Sequence, residues 1–289
     1  MEVVLAKSAG FCFGVKKAVD TVFALVDNNP CKKNIYTYGN IIHNDFVVEE
    51  LRQKGVTVIE NPEDIKLAEG GILVIRAHGV PEAVYKTAEK YNIELVDATC
   101  PFVEKIHKIV REKGEAGEKV IIAGDKTHPE VIGIMGWASG DIYAVNCEEE
   151  AEALTLPPES RVCVTAQTTF NVNKFNNIVE IIAKKGYYMN VVNTICKATE
   201  TRQKEAADIS QLVDVMFVIG DNKSSNTKKL FDICKSNCNK TYCLQSNNDL
   251  KDEYLQSGSY VGITAGASTP NKIIQEVFLT CQKKKISTK

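Results

Sequence analysis

Ten cysteines and four histidines are the residues of this 289-residue chain most able to do chemistry. Cys12, Cys100 and Cys196 lie 88 and 96 residues apart, each where an apolar run passes into a helix-like pattern. The three contexts are EVVLAKSAGFCFGVKKAV, IELVDATCPFVEKIHKIV and MNVVNTICKATETRQKEA. Three thiolates from distant segments suit a soft metal centre with one coordination position left open. A [4Fe–4S] cube ordinarily takes four Cys ligands, so three leave one iron free to bind a substrate oxygen as a Lewis acid. Zinc held by three Cys and a water is the rival. No cluster of closely spaced cysteines matches a ferredoxin pattern, and no His or second carboxylate stands at short zinc-motif spacing. With no fourth cysteine in the same register, the three-ligated cluster is favoured. Cys163 falls mid-strand and reads as core. Cys234 and Cys238 can share a helix face, with Cys243 on the next strand. Reduced thiols in or near a core are expected there, a second metal being the weaker reading.

Three of the four histidines stand in loops that follow apolar runs: His43 in GNIIHN, His78 in RAHG and His128 in THPEV. His107, inside a helical pattern, is expected to be structural. Ser224, Ser225 and Asn226, then Ser268 and Thr269, occupy corresponding places later in the chain. Short hydroxyl and amide side chains at helix starts cap free N–H groups. The same N–H groups and hydroxyls make an anion site. Three imidazole donors added to them give a socket for a multiply charged group such as a diphosphate. No Walker loop or GxGxxG accompanies it, which argues against a nucleotide. Glu130, two residues after His128, is a candidate proton donor, against the plainer reading of a carboxylate favoured by a helix N-terminus. Thr168 is placed to orient a substrate hydroxyl or relay a proton, against the plainer reading of a cap.

The elements that must position these residues repeat three times. After each cysteine-bearing segment comes a strand ending in glycine (Gly39, Gly124, Gly220), 27, 24 and 24 residues beyond its cysteine. A further strand leads to His78, Thr168 and Ser268, at 66, 68 and 72 residues. Buried apolar strands alternate with amphipathic helices such as 102–113, the pattern of a small parallel sheet with helices on its faces. The expected architecture is α/β: three pseudo-repeated domains, 1–100, 101–195 and 196–289, in a trefoil around a central iron–sulfur cluster. Ligands of such sheets sit beyond the carboxyl ends of the strands, where all the marked residues fall. The third repeat has no closing strand of its own, so the N-terminal strand is expected to supply it. A formal net charge of −2 gives no basic footprint for nucleic acid or an anionic membrane. No apolar run is long enough for a membrane helix and no signal peptide opens the chain, so a cytoplasmic protein is expected. The lysines at 283–285 read as a solvated terminus.

The motifs GFCFGVKKAV, IIHN, RAHGV, DATCPFV, HPEVIG, QTT, TICKATETRQ, KSSNT and GASTP run in order from Gly10 to Pro270. In this set the chain closely resembles the hydroxymethylbutenyl diphosphate reductases, the LytB/IspH family. The resemblance implies a trefoil around a [4Fe–4S] cluster held by Cys12, Cys100 and Cys196. It implies substrate contacts from His43, His78, His128, Thr168, Ser224, Ser225, Asn226 and Ser268. Glu130 matches the proton donor, with His128 and Thr168 beside it in the catalytic set. One departure is Asp221 in GDNKSSN, whose charge is expected to alter that loop locally. The implied reaction removes an allylic hydroxyl with two electrons and two protons, giving isopentenyl and dimethylallyl diphosphates, the last step of the methylerythritol phosphate route. No flavin or nicotinamide fingerprint is present, so a ferredoxin or flavodoxin is the expected donor. A hydro-lyase with an open-iron cluster would need no reductant, and an iron–sulfur sensor would bind no small diphosphate.

Overall fold

The computed structural model describes residues 2–255 and 260–284. The chain begins with β1 (Glu2–Leu5), α1 (Phe13–Asp27), β2 (Ile35–Tyr38), α2 (Asp45–Gln53), β3 (Thr57–Ile59), β4 (Ile72–Ile75), α3 (Glu82–Lys90) and β5 (Glu94–Asp97). It continues through α4 (Pro101–Glu115), β6 (Lys119–Ala123), α5 (Pro129–Met135), β7 (Ile142–Val145), α6 (Glu148–Ala153), β8 (Arg161–Ala166), α7 (Val172–Ala183) and β9 (Tyr188–Val191). The last stretch holds α8 (Lys197–Ser210), β10 (Val215–Ile219), α9 (Ser225–Asn237), β11 (Thr241–Leu244), β12 (Tyr260–Ala265) and α10 (Asn271–Lys284). Of the lysines read as a solvated tail, Lys285 lies outside the described residues.

Three four-stranded parallel sheets form, ordered β3-β2-β4-β5, β7-β6-β8-β9 and β11-β10-β12-β1. The order is the same each time: second, first and third strands of the repeat, then a closing strand. In the third sheet that closing strand is β1, paired with β12 from Glu2 opposite Tyr260 to Leu5 opposite Ile263. The N-terminal strand therefore completes the last repeat, as expected. Two compact units carry the sheets. Residues 1–15, 43–45 and 197–289 hold the β1 sheet, and residues 16–42 and 46–196 hold the other two.

The inner strands read as unbroken apolar runs because helices cover both their faces. VMFVI of β10 and ILVI of β4 are buried at every residue. In the β6–β8 pair alternation splits the core in two. Ile121, Val164 and Ala166 face Phe175, Ile178 and Ile182 of α7. Val120, Ile122 and Cys163 face Ile106 and Val110 of α4 and Ile134 of α5. Cys163 is core, as the sequence suggests, and burial pushes its thiol up to about 11. Each fully buried Ile or Phe of this kind contributes about 1.5–3 kcal/mol.

Helix α4 illustrates how the sequence sets its ends. Pro101 fits the first helical position because its missing N–H has no partner there anyway. Val103, Ile106, His107 and Val110, at helical spacing, form its buried face. The helix thus begins one residue earlier and ends two later than the 102–113 periodicity indicates. Gly117, at φ +74°, then turns the chain in a conformation that L side chains rarely adopt.

Candidate active site

Each candidate cysteine occupies the residue just before a long helix: Cys12 before α1, Cys100 before α4 and Cys196 before α8. An anionic ligand is favoured at such a position by the helix dipole. All three are half-buried and outside any disulfide. Each N–H donates to the loop beyond the neighbouring strand: Cys12 to Ala267 O (3.2 Å), Cys100 to Ala77 O (3.0 Å) and Cys196 to Thr168 O (2.9 Å). One backbone bond, made three times, therefore ties every candidate ligand to a loop bearing candidate substrate residues. Each is a soft sulfur donor in the same setting, and such donors suit iron–sulfur chemistry.

These bonds also correct the register. The same turn closes three times, with Gly79 N donating to Arg76 O, Phe170 N to Gln167 O and Thr269 N to Gly266 O. Thr168 therefore corresponds to Ala77 and Ala267, and it is Thr169 that stands level with His78 and Ser268. Counting from the cysteines slips by one residue because the intervening loops differ in length. Thr169, the second threonine of QTT, is the residue that spacing missed.

The loops after the glycine-ending strands are equally regular. Gly39, Gly124 and Gly220 donate to Ile59 O, Val145 O and Leu244 O at 2.7–2.8 Å. His43, His128 and Ser224 each follow four residues later. Asp125 Oδ1 accepts from Thr127 N, and Asp221 Oδ1 from Lys223 N, both at 2.8 Å. Asp221 is thus no disturbance of its loop. It makes the same Asx turn as Asp125, and each turn presents the cap residue of the following helix.

In the unit built around the β1 sheet, Ser224 caps α9 by accepting from Thr227 N. Ser268 is spent differently: its hydroxyl donates to His43 O at 2.9 Å and lies 3.5 Å from Ser224 Oγ. Asn226 is 4% exposed, and its Nδ2 is a buried donor without a partner. Such a group costs free energy until something accepts from it, which suits an anion site. Ser225, in the first turn of α9, is half-buried. The Cys12 loop is anchored here from α8. Arg202 Nη2 donates to Gly10 O at 2.6 Å. Glu205 accepts from Lys7 N, Ser8 N and the Ser8 hydroxyl. Burial alone would raise the Glu205 carboxyl, but these donors outweigh it and hold it below its ordinary range.

In the other unit, His128 and Glu130 start α5. His128 Nδ1 accepts from Glu130 N at 3.1 Å, so a neutral His128 carries its proton on Nε2. The His78 ring meets the His128 ring edge-on, centroids 5.6 Å apart. Glu130 is only 2% exposed. Its two oxygens accept from Thr168, one from the backbone N–H (2.6 Å) and one from the hydroxyl (2.7 Å). The hydroxyl expected to serve substrate thus also serves Glu130.

His107 is the structural histidine it was expected to be. Burial pushes its imidazole down to about 4, Asp97 opposing and Arg111 assisting. The unfolded chain takes up this proton near pH 6.5, the folded one only near pH 4. The stability owed to neutral His107 is therefore complete above about pH 6.5 and is lost as the pH falls towards 4. His107→Gln should remove about 2 kcal/mol of the wild-type stability loss between pH 6.5 and 4.5. Denaturant melts at the two pH values check this, and equal losses in both proteins would contradict it.

Cys234 and Cys238 are buried and Cys243 is exposed on β11. Their thiols point to different carbonyls, those of Ala206, Val213 and Gly220. Among the described residues the three form no metal-ligand group. No helix among those residues is long and apolar enough to cross a membrane.

Comparison with known proteins gives one consistent answer. The family model of the LytB protein matches residues 3–282. The 4-hydroxy-3-methylbut-2-enyl diphosphate reductase of Caldanaerobacter subterraneus subsp. tengcongensis is 45% identical over 278 residues, 96% of each chain. Among solved structures, the E-1-hydroxy-2-methyl-but-2-enyl-4-diphosphate reductase of Plasmodium falciparum superposes with a TM-score of 0.90 at 30% identity, covering 96% of this chain and 87% of that one. A second, an (E)-4-hydroxy-3-methyl-but-2-enyl diphosphate reductase described as the terminal enzyme of the non-mevalonate pathway, gives 0.71 at 36% identity, over 98% and 99%. A match of this extent in sequence and in fold is what common descent produces, and the chain belongs to the LytB family.

Proposed function

We propose that this chain reduces 4-hydroxy-3-methylbut-2-enyl diphosphate to isopentenyl and dimethylallyl diphosphates, the last step of the methylerythritol phosphate route. The allylic C–O bond breaks, two electrons and two protons enter, and the hydroxyl leaves as water. The observation that carries the reading is the thrice-made backbone bond from a cysteine N–H to a substrate-loop carbonyl. Cys12 and Cys100, near the start and at the end of the repeat 1–100, and Cys196, which opens the repeat 196–289 after the repeat 101–195, are the proposed ligands. A [4Fe–4S] cluster so held supplies electrons and an open Lewis-acidic iron.

The side chains divide the remaining work. Ser224, Ser225, Asn226 and, once its hydroxyl turns away from His43 O, Ser268 receive the diphosphate together with His43, His78 and the Nε2–H of His128. Holding that end fixes where the allylic hydroxyl lies and replaces a bimolecular encounter with a positioned one. Glu130 stores the proton for the departing oxygen, and Thr168 orients the acid from both its N–H and its hydroxyl. Its near-complete burial keeps that proton from exchanging freely with water. Electrons arrive from a ferredoxin or flavodoxin in the cytoplasm. The test is anaerobic turnover by cluster-loaded protein with reduced viologen. Viologen oxidation matched to formation of the two C5 diphosphates is expected. An intact cluster with no turnover would overturn the reading.

A further inference from the structure

The segment carrying His78 is held by groups for which the chemistry above has no use. Trp137, two residues beyond α5, donates its indole N–H to Val80 O at 2.8 Å. Its ring stacks on His107 of α4, centroids 5.1 Å apart and planes 12° from parallel. The Arg111 guanidinium, one turn along α4, lies 4.7 Å from the same ring, and Tyr85 of α3 meets it edge-on at 5.4 Å. The backbone passes close over His107 at Gly79, where an added Cβ would fall 2.7 Å from His107 Cε1. Helix α5 approaches just as closely. A Cβ on Gly133 would lie 3.3 Å from the Gly79 carbonyl carbon, and one on Gly136 would lie 2.4 Å from Pro81 Cβ. Two glycines thus let the helix of His128 and Glu130 lie directly against the His78 segment. A cavity of about 240 Å³ borders the stack, lined in part by Trp137, His107 and Arg111. The ring contacts locate the indole, and its bond to Val80 O links it to the His78 segment.

We propose that Trp137 is a positioning residue that ties the His78 segment to helix α5, and so sets the distance between His78 and His128 that a diphosphate must match. The proposal rests on the reading of these histidines as diphosphate donors. The seven-residue α5 has His128 at one end and leads to Trp137 at the other, so one rigid element spans both fixed points. His78 and His128 then move together or not at all.

The experiment is calorimetric binding of inorganic pyrophosphate to anaerobic, cluster-loaded protein, with steady-state kinetics alongside. Trp137→Phe keeps a ring in the stack but removes the donor. It should bind pyrophosphate about three- to tenfold more weakly, with the loss falling on KM and the cluster content unchanged. Gly136→Ala, which pushes Pro81 away with the indole intact, should weaken binding likewise. Tyr85→Phe loses a hydrogen bond to Asp97 at the same stack and should bind as the wild type does. A Trp137→Phe protein with a lowered melting temperature and wild-type affinity would overturn the proposal, as would equal weakening by Tyr85→Phe. Wild-type protein that binds no pyrophosphate would instead overturn the underlying reading of the histidines, and the proposal with it.

Discussion

Glu130→Gln is expected to lower turnover by about 10²–10⁴-fold, the usual range for loss of a positioned acid. Pyrophosphate affinity and cluster content should stay within about twofold of wild type, because the exchange is nearly isosteric. The local geometry explains why the variant should fold. Thr168 N–H needs an acceptor, and the amide oxygen of glutamine provides one. The Thr168 hydroxyl, now a donor to the carboxylate at 2.7 Å, rotates to accept from the new amide N–H instead. Both buried partners stay satisfied, so the stability cost that follows an orphaned polar group is avoided. Only the exchangeable acidic proton is lost. Single-turnover rates beside pyrophosphate calorimetry separate the two effects, and an unchanged rate would remove Glu130 from the chemistry.

Much of this arrangement is legible in the sequence because it is built from local patterns. β4, β6, β8, β10 and β12 are short apolar runs bounded by glycine or polar loops, as strands covered on both faces must be. The missing closing strand in the third repeat points to β1, since a sheet edge left open there would break the threefold scheme. What stayed hidden depends on contacts between distant residues or on backbone conformation. Asp221 reads as an intrusive charge until its Asx turn is set beside that of Asp125. Thr169 is lost to residue counting, because a strand's end is marked by its hydrogen bonds and not by its distance from a cysteine. Arg202 and Glu205 grip Gly10, Lys7 and Ser8 across more than 190 residues, and no periodicity records such a bond. The same holds for Trp137 and Val80, 57 residues apart.

Cys196→Ser is expected to abolish the intact cluster, read as iron and sulfide content and visible absorption, and to take activity with it. The substitution separates ligation from folding. Cys196 N donates to Thr168 O, a backbone bond that serine keeps, and Lys197 still begins α8. Serine at the residue before a helix is a favoured cap, so the local fold loses little and the circular dichroism spectrum should be unchanged. What disappears is a soft thiolate, and an alcohol that stays protonated near neutral pH does not replace it as a ligand to iron. Cys31→Ser, at an exposed thiol outside the three repeated positions, should retain full cluster content and rate. A Cys196→Ser protein that keeps both would break the threefold scheme at its centre. The repeated cysteine position would then be a feature of the fold, with no part in the chemistry.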